Sequence, residues 1–160
     1  MKTVDDGILV RKIGDGTVID HIPAGKAFTV IRLLGVSLPP RGRLAIIVNT
    51  DSGKLGKKDI VKIEGQYPDE DVIKLIALVA PHATINYIEG YKVVRKFRVE
   101  PPEEVVGVVK CSNPRCITNS DREGVSPRLQ LVSQNPLRLR CVYCERYTEY
   151  EDILNQFMEK

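Results

Sequence analysis

The four cysteines of this 160-residue chain constrain its fold more than any other feature. They form two close pairs, Cys111 with Cys116 and Cys141 with Cys144, and 24 residues separate the pairs. Thiolates with two to four residues between them point at one soft cation, and two such pairs complete a tetrahedron. Because the protein would fill all four positions, the pattern predicts a closed, structural metal site that holds a small C-terminal domain together.

The spacing favours Zn²⁺ as the metal, but it leaves two other assignments open. Iron bound by four thiolates uses the same ligands, and two disulfides use the same number of cysteines. Disulfides are disfavoured because residues 1–6 are acidic and lack the apolar stretch of an export signal. A cytoplasmic location with reduced thiols is therefore expected. The apolar run Val72–Ala80 is interrupted by Lys74 and is too short to span a bilayer, so no membrane association is expected.

Charge separates the two halves of the chain. Residues 1–100 have a net charge of +4, whereas residues 111–160, which contain all four cysteines, have a net charge of 0. A metal domain that binds nucleic acid should be basic, because phosphate neutralisation supplies most of the affinity. A zinc-ribbon nucleic-acid-binding protein is thus the alternative function, and no nucleic-acid partner is expected.

The first 100 residues show the pattern of a ferredoxin-like split βαβ sandwich: strand, helix, strand, strand, helix, strand and one extra strand. Pro23 is expected to open the first helix, whose apolar face would consist of Ala24, Ala27, Phe28, Ile31 and Leu34. The third strand is expected to place Asp59 on its polar side with Lys62 and Glu64. Strands are predicted at 16–22, 43–50, 57–64, 84–88 and 91–99, with Glu89-Gly90 as a hairpin turn and a second helix after Pro68.

Pro101 and Pro102 mark the one break in composition along the chain. The domains are therefore predicted at 1–100 and 106–160, with a linker at 101–105. In the second domain, short strands are expected at 105–110, 128–132, 137–141 and 147–150, followed by a terminal helix at 153–158. The fold class is α+β, with a ferredoxin-like N-terminal sandwich and a small β-rich zinc domain at the C-terminus.

Catalytic side chains are not arranged in any recognisable set in the sequence, and neither a P-loop nor a dinucleotide fingerprint is present. A cluster that could bind an anion is indicated instead. Asp20 and His21 end the first strand, Lys62 lies in the third, and Lys96 lies in the last beside Arg95. In a split βαβ sheet these strands are close together, so two ammonium groups and a carboxylate would suit a nucleotide. Solvated charges on exposed strands are the simpler interpretation.

Several segments together resemble one family, the regulatory chain of aspartate carbamoyltransferase. They are GTVIDHIPAGKAF (Gly16–Phe28), GKKDIVKIEG (Gly56–Gly65), the stretch from Leu75 to Ile88, and the two cysteine pairs. The resemblance covers nearly the whole chain in order. It implies a non-catalytic subunit in pyrimidine biosynthesis, whose first domain binds CTP and ATP at one allosteric site. It also implies that the second domain holds one zinc ion and docks onto catalytic chains, and that regulatory chains pair through their allosteric domains.

The resemblance further implies which residues contact the effector and the metal. The nucleotide-binding positions would be Ile13, Asp20, His21, Lys62, Asn86, Ile88, Tyr91, Val93 and Lys96, with Ile13 acting through its backbone. The zinc ligands would be Cys111, Cys116, Cys141 and Cys144, as the spacing alone also predicts.

Overall fold

The computed structural model describes residues 12–158, so the acidic residues 1–6 lie outside the described part. The chain divides into two compact units. The first unit contains the residues up to Asp69 together with Ala83–Arg98. The second unit contains Glu70–His82 together with the residues from Val99 onward. The predicted α+β class is confirmed. No helix within residues 12–158 is long and apolar enough to cross a membrane.

An antiparallel five-stranded sheet forms the first unit, and its strands follow the order β2-β3-β1-β4-β5. The strands are β1 (Gly16–Pro23), β2 (Leu44–Ser52), β3 (Gly56–Glu64), β4 (Thr84–Glu89) and β5 (Lys92–Arg98). Helix α1 (Ala27–Leu34) follows β1, and helix α2 (Glu70–Val79) follows β3. This succession is the predicted split βαβ order with one additional strand.

The central strand β1 shows why the sheet has one buried and one open face. Thr17 and Ile19 are fully buried, whereas Val18 and Asp20 are partly exposed. Successive side chains of a strand point to opposite faces, so this alternation separates the core from the open face. The buried side chains of the first unit include Ile19, Ile22, Val30, Val61, Ile63 and Ile85.

The first helix begins later than the sequence predicts. Pro23 is the last residue of β1, and α1 starts at Ala27 and ends at Leu34, with Gly35 as its C-cap at a left-handed φ of 67°. The predicted apolar face was also partly wrong, because Phe28 is 66% exposed while Val30 is fully buried. One residue advances a helix by about 100°, so Phe28 cannot share the centre of a face with both Ala27 and Val30.

Asp59 on β3 is fully buried, which contradicts its predicted place on the polar side of the strand. One carboxylate oxygen accepts hydrogen bonds from the backbone N–H groups of Gly25 at 2.8 Å and Ala27 at 3.0 Å. The other accepts the N–H of Asn49 at 2.8 Å. The carboxylate thus satisfies donors at the start of α1, where the helix dipole favours negative charge. It also fixes Asn49, which lies at φ 61° where β2 and β3 shift register.

The β4–β5 hairpin turns at Gly90 and Tyr91, one residue later than predicted. Both have positive φ, 57° and 65°. Two consecutive positive φ values match the twist of flanking strands in a two-residue hairpin. Tyr91 bears the strain of a left-handed conformation, and its N–H donates to the carbonyl of Gly14 at 2.9 Å.

The second unit contains a four-stranded antiparallel sheet in the order β6-β7-β8-β9. Its elements are β6 (Glu104–Val106), β7 (Arg128–Gln134), β8 (Leu137–Cys141), β9 (Tyr147–Glu149) and helix α3 (Tyr150–Met158). β6 ends before the predicted Lys110 because the chain turns at Gly107, where φ is 75°. α3 begins three residues earlier than predicted.

Helix α2 contributes to the core of this second unit. Its Leu78 belongs to the buried cluster that also contains Val105, Leu129 and Ile153, and Leu75 packs against that cluster. The hydroxyl of Tyr150 in α3 donates to the carbonyl of Val79 in α2. Residues 70–82, which the sequence analysis groups with the first 100 residues, therefore pack with the cysteine-bearing module.

Candidate functional sites

The four cysteine sulfurs converge on one point in the second unit, all within 4.8 Å of one another. The Sγ atoms of Cys111 and Cys144 are 3.5 Å apart, and those of Cys116 and Cys141 are 3.7 Å apart. A disulfide would need about 2.0 Å. Four sulfurs placed about 2.3 Å from a tetrahedral metal would be about 3.8 Å apart. The four thiols are free, and their arrangement fits a four-coordinate structural metal.

Two turns bring these sulfurs together. Cys141 ends β8, pairs with Leu129 of β7, and is followed by a turn in which the N–H of Glu145 donates to the carbonyl of Cys141 at 3.0 Å. Cys116 precedes a short 3-10 helix, Ile117–Asn119. Cys111, Cys116 and Cys141 are buried within the apolar cluster of the unit, whereas Cys144 is partly exposed. The metal position is therefore continuous with the core of the module.

Hydrogen bonds and burial make the thiols unequal. Burial raises the pKa of the Cys111 thiol above its ordinary value. Burial also acts to raise the pKa of Cys144, but hydrogen bonds from the Arg146 backbone, the Asn113 side chain and the neighbouring cysteines together outweigh it and lower the pKa to about 7. Cys144 is thus the readier of the two to ionise. Metal binding requires thiolates, so it must release protons from this site.

The two lysines singled out in the sequence, Lys62 and Lys96, lie in one row across the open face of the first sheet. Val18 of β1 pairs with Lys62 of β3 on one side and with Asn86 of β4 on the other, and Asn86 pairs with Lys96 of β5. Residues directly opposite one another on neighbouring strands point to the same face. The structure therefore brings Lys62, Asn86 and Lys96 to one face, where Val18 is also partly exposed.

The neighbouring row contains Asp20, which is opposite Thr84, which in turn is opposite Arg98. The Nζ of Lys58 lies 2.8 Å from Asp20 Oδ1, and the backbone N–H of His21 donates to the same oxygen at 2.6 Å. His21 lies at φ 59°, in the stretch where β1 and β3 shift register. Its Nδ1 is buried and accepts or donates no hydrogen bond among residues 12–158. Asp20, His21 and Lys58 thus form one tight polar cluster.

The remaining predicted positions lie at the other end of this face and are mostly apolar. Ile88 pairs with Gly16 and with Val93. This row and the row that contains Asp20 lie on either side of the row that contains Lys62 and Asn86. Tyr91 is 69% exposed, and its ring approaches Gly14, where a Cβ would lie 3.2 Å from the Tyr91 Cε2 atom. Ile13, next to Gly14, is buried. The open face is therefore cationic at one end, whereas the other end combines apolar side chains with Glu64, which lies opposite Gly16 and pairs with Arg43.

Lys58 is the residue that the sequence analysis missed in this cluster. The available signal was alternation along β3, since Lys58, Ile60 and Lys62 share one face of the strand while Asp59 and Val61 are buried. Arg95 was placed beside Lys96 in the sequence, but it pairs with Tyr87 and lies over the Phe97 ring at 4.5 Å, on the opposite face. Lys58 therefore joins the predicted cluster, and Arg95, the sequence neighbour of Lys96, lies outside it.

Comparison with known proteins decides the family. Residues 8–100 match the family model described as aspartate carbamoyltransferase regulatory chain, allosteric domain, and residues 103–154 match the metal binding domain of the same chain. The chain belongs to the family of aspartate carbamoyltransferase regulatory chains. The resemblance seen in the sequence is confirmed, and the cysteine-bearing module is the metal binding domain of this family.

Curated regulatory chains are similar to this chain over nearly its full length. The aspartate carbamoyltransferase regulatory chain of Hyperthermus butylicus is 52% identical over 153 residues, which is 96% of each chain. Those of Korarchaeum cryptofilum and Pyrococcus horikoshii are 51% and 53% identical and cover 93% and 91% of this chain, and 95% of their own lengths. These names confirm the prediction that the chain is a regulatory rather than a catalytic subunit.

Proposed function

We propose that this regulatory chain binds a nucleoside triphosphate effector, CTP or ATP, on the open face of its first sheet. The observation that supports the proposal most strongly is the register that aligns Lys62, Asn86 and Lys96 in one row. Ammonium groups attract phosphates as point charges, and two strands between the lysines leave room for a ligand. Strands lie about 4.8 Å apart, so the lysine backbones are separated by about 14 Å.

The polarity of the face supports one orientation of the ligand. The triphosphate would lie over the end that contains Lys58, Lys62 and Lys96. The base would lie toward Ile13 and Tyr91, away from these three lysines. Asp20 and His21, held by Lys58, would contact the ribose or phosphates. In this orientation Asn86, Ile88 and Val93 line the middle and the Tyr91 end of the site.

Zinc is the metal proposed for the four-cysteine centre. Four thiolates in a closed tetrahedral arrangement are typical of structural zinc, and Zn²⁺ would let the small second unit fold around Cys116 and Cys141. Metal analysis of the purified chain should give one zinc per chain. A stoichiometric amount of iron, with the colour of a ferric thiolate centre, would assign the site to iron instead.

The proposed partners are aspartate carbamoyltransferase catalytic chains, through the second unit, and a second copy of the regulatory chain, through the first. The two edges of the five-stranded sheet differ in a way that supports self-association at β2. The β5 edge carries Lys92, Arg95, Lys96 and Arg98, and such charges discourage strand pairing. The β2 segment LAIIVNT contains no charged residue before Asp51, so it is the edge that a second copy would extend.

Effector binding would reach the catalytic partner through the element that joins the two units in sequence. Helix α2 follows β3, which carries Lys58 and Lys62, precedes β4, which carries Asn86, and packs its Leu78 into the core of the second unit. A ligand shifts the state of the assembly only by its different affinity for the alternative states. The coupling expected for such a system is about 1–3 kcal/mol and must be reciprocal.

Reconstitution with an aspartate carbamoyltransferase catalytic chain tests the proposal. The two chains should co-purify, and saturation curves for aspartate should move when CTP or ATP is added. The isolated catalytic chain is the control and should not respond. Curves that coincide with and without nucleotide, in an assembly that calorimetry shows to have bound it, would contradict the allosteric role. A nucleic-acid-binding function is not favoured, because the second unit has no excess of basic residues.

A further inference from the structure

The side chain of Thr118 approaches one of the four candidate metal ligands. Its hydroxyl donates to Cys116 Sγ at 3.2 Å, whereas the hydrogen bonds to Cys111 and Cys141 come from the backbone N–H groups of Asn113 and Tyr143, each at 3.4 Å. A backbone N–H two residues after a cysteine donates to the sulfur because of the turn conformation, whatever the residue type. A hydroxyl donor depends on the residue type, so this contact is a property of the sequence at one position.

The surrounding segment holds the Thr118 hydroxyl in place. Thr118 is the middle residue of the 3-10 helix Ile117–Asn119, and the N–H of Asn119 donates to the carbonyl of Cys116 at 2.9 Å. The Asn119 amide donates to the carbonyls of Cys111 at 2.9 Å and Asn113 at 2.7 Å. Asn119 thereby ties the 3-10 helix to the loop that bears the other cysteine of the pair. Thr118 is presented from a rigid support rather than from a free loop.

We propose that Thr118 is a positioning residue of the metal centre, whose hydroxyl orients the Cys116 thiolate and tunes its donation to the metal. This inference rests on the proposed metal centre and concerns one of its ligands. A hydrogen bond withdraws electron density from the sulfur and fixes the direction of its lone pairs. The effect is confined to the metal–sulfur bond and does not require any change in the fold.

Substitution of the full chain with Co²⁺ gives a direct readout, because thiolate-to-cobalt charge-transfer bands report the electron density on sulfur. In Thr118→Val the bands should move to lower energy, and metal affinity measured by competition with a chelator should fall about 10–100-fold. Thr118→Ser keeps the hydroxyl and should restore both quantities. Thr118→Ala lacks the hydroxyl without the added methyl group, so it should behave like Thr118→Val.

The matched control is Ser112→Ala. Ser112 lies between Cys111 and Cys116, and its hydroxyl donates to the carbonyl of Tyr147 at 2.8 Å rather than to a sulfur. This variant should leave the bands and the affinity unchanged. The proposal is wrong if Thr118→Val and Thr118→Ala match the wild type, or if Ser112→Ala changes the bands as much as they do. A wild-type chain that takes up no metal would instead overturn the metal centre itself.

Discussion

The hydroxyl of Tyr150 donates a hydrogen bond to the backbone carbonyl of Val79, 71 positions earlier in the chain. The contact joins α3 to α2 within the second unit. Burial, together with the nearby carboxylate of Glu151, raises the pKa of Tyr150 to about 12. The folded chain therefore favours the neutral phenol more strongly than the unfolded chain, in which tyrosine titrates near pH 10.

This shift predicts a loss of stability at alkaline pH. The contribution of Tyr150 should be complete below about pH 10 and decline between about pH 10 and 12, because the unfolded state releases its proton first. Tyr150→Phe should lower the free energy of unfolding at pH 7 by about 1 kcal/mol, the value of one hydrogen bond. Denaturant unfolding of both chains across this range measures the effect. The difference between them should shrink above pH 10, and a constant difference would contradict the assignment.

Substitution of Asp59 is expected to lower stability strongly, although the sequence suggests only a surface charge at this position. Asp59→Ala leaves the N–H groups of Gly25, Ala27 and Asn49 without their acceptor, so the free energy of unfolding should fall by about 3–5 kcal/mol. Asp59→Asn retains one acceptor oxygen, so its free energy of unfolding should lie between those of the wild type and of Asp59→Ala. Asp51→Ala is the control, since the Asp51 side chain is 93% exposed and its pair with Lys57 lies at the surface, and it should leave denaturant unfolding unchanged.

The row of lysines predicts which substitutions weaken nucleotide binding. Lys62→Ala and Lys96→Ala should each raise the Kd for CTP or ATP about 10–100-fold, because each removes a charge-assisted contact to phosphate. Tyr91→Phe should have a smaller effect than Lys96→Ala, since it removes only a hydroxyl from an exposed ring. Calorimetry measures the affinities. Lys57→Ala, next to Lys58 but paired with Asp51, is the matched control and should bind normally. Equal affinities in Lys96→Ala and Tyr91→Phe would refute the phosphate assignment.

Removal of the metal is expected to unfold the second unit and to leave the first unit folded. In Cys141→Ser, or after chelation, amides of β7 and β8 should lose protection from hydrogen exchange, because Cys141 is fully buried in the core of that module. Strands β1 and β3 should stay protected. Helix α2 should lose protection together with β7 and β8, since Leu78 packs in the same core. Binding to catalytic chains should be lost as well, and a metal-free chain that binds them at full strength would contradict this.

Sequence periodicity predicted the order of elements in both units, and the spacing of the two cysteine pairs predicted that the cysteines converge. Alternation along β1 and β3 was enough to place Lys62 on the open face, because the face of a strand residue follows from its parity. It could also have located Lys58. The positions of Tyr91 and Phe28 were harder to anticipate, since a turn shifted by one residue or a helix rotated by one residue changes which side chain is exposed.

The sequence by itself determined the cysteine site, the split βαβ order and the family, because spacing, periodicity and motifs are local properties of the chain. The tertiary structure alone decided that Asp59 is a buried acceptor, that Lys58 pairs with Asp20, and that α2 packs with the metal-binding module. The physical reason is that these features depend on partners at least 10 positions away in the chain. A local pattern shows that a face is apolar or a side chain is charged, but only the packed chain shows what lies against it.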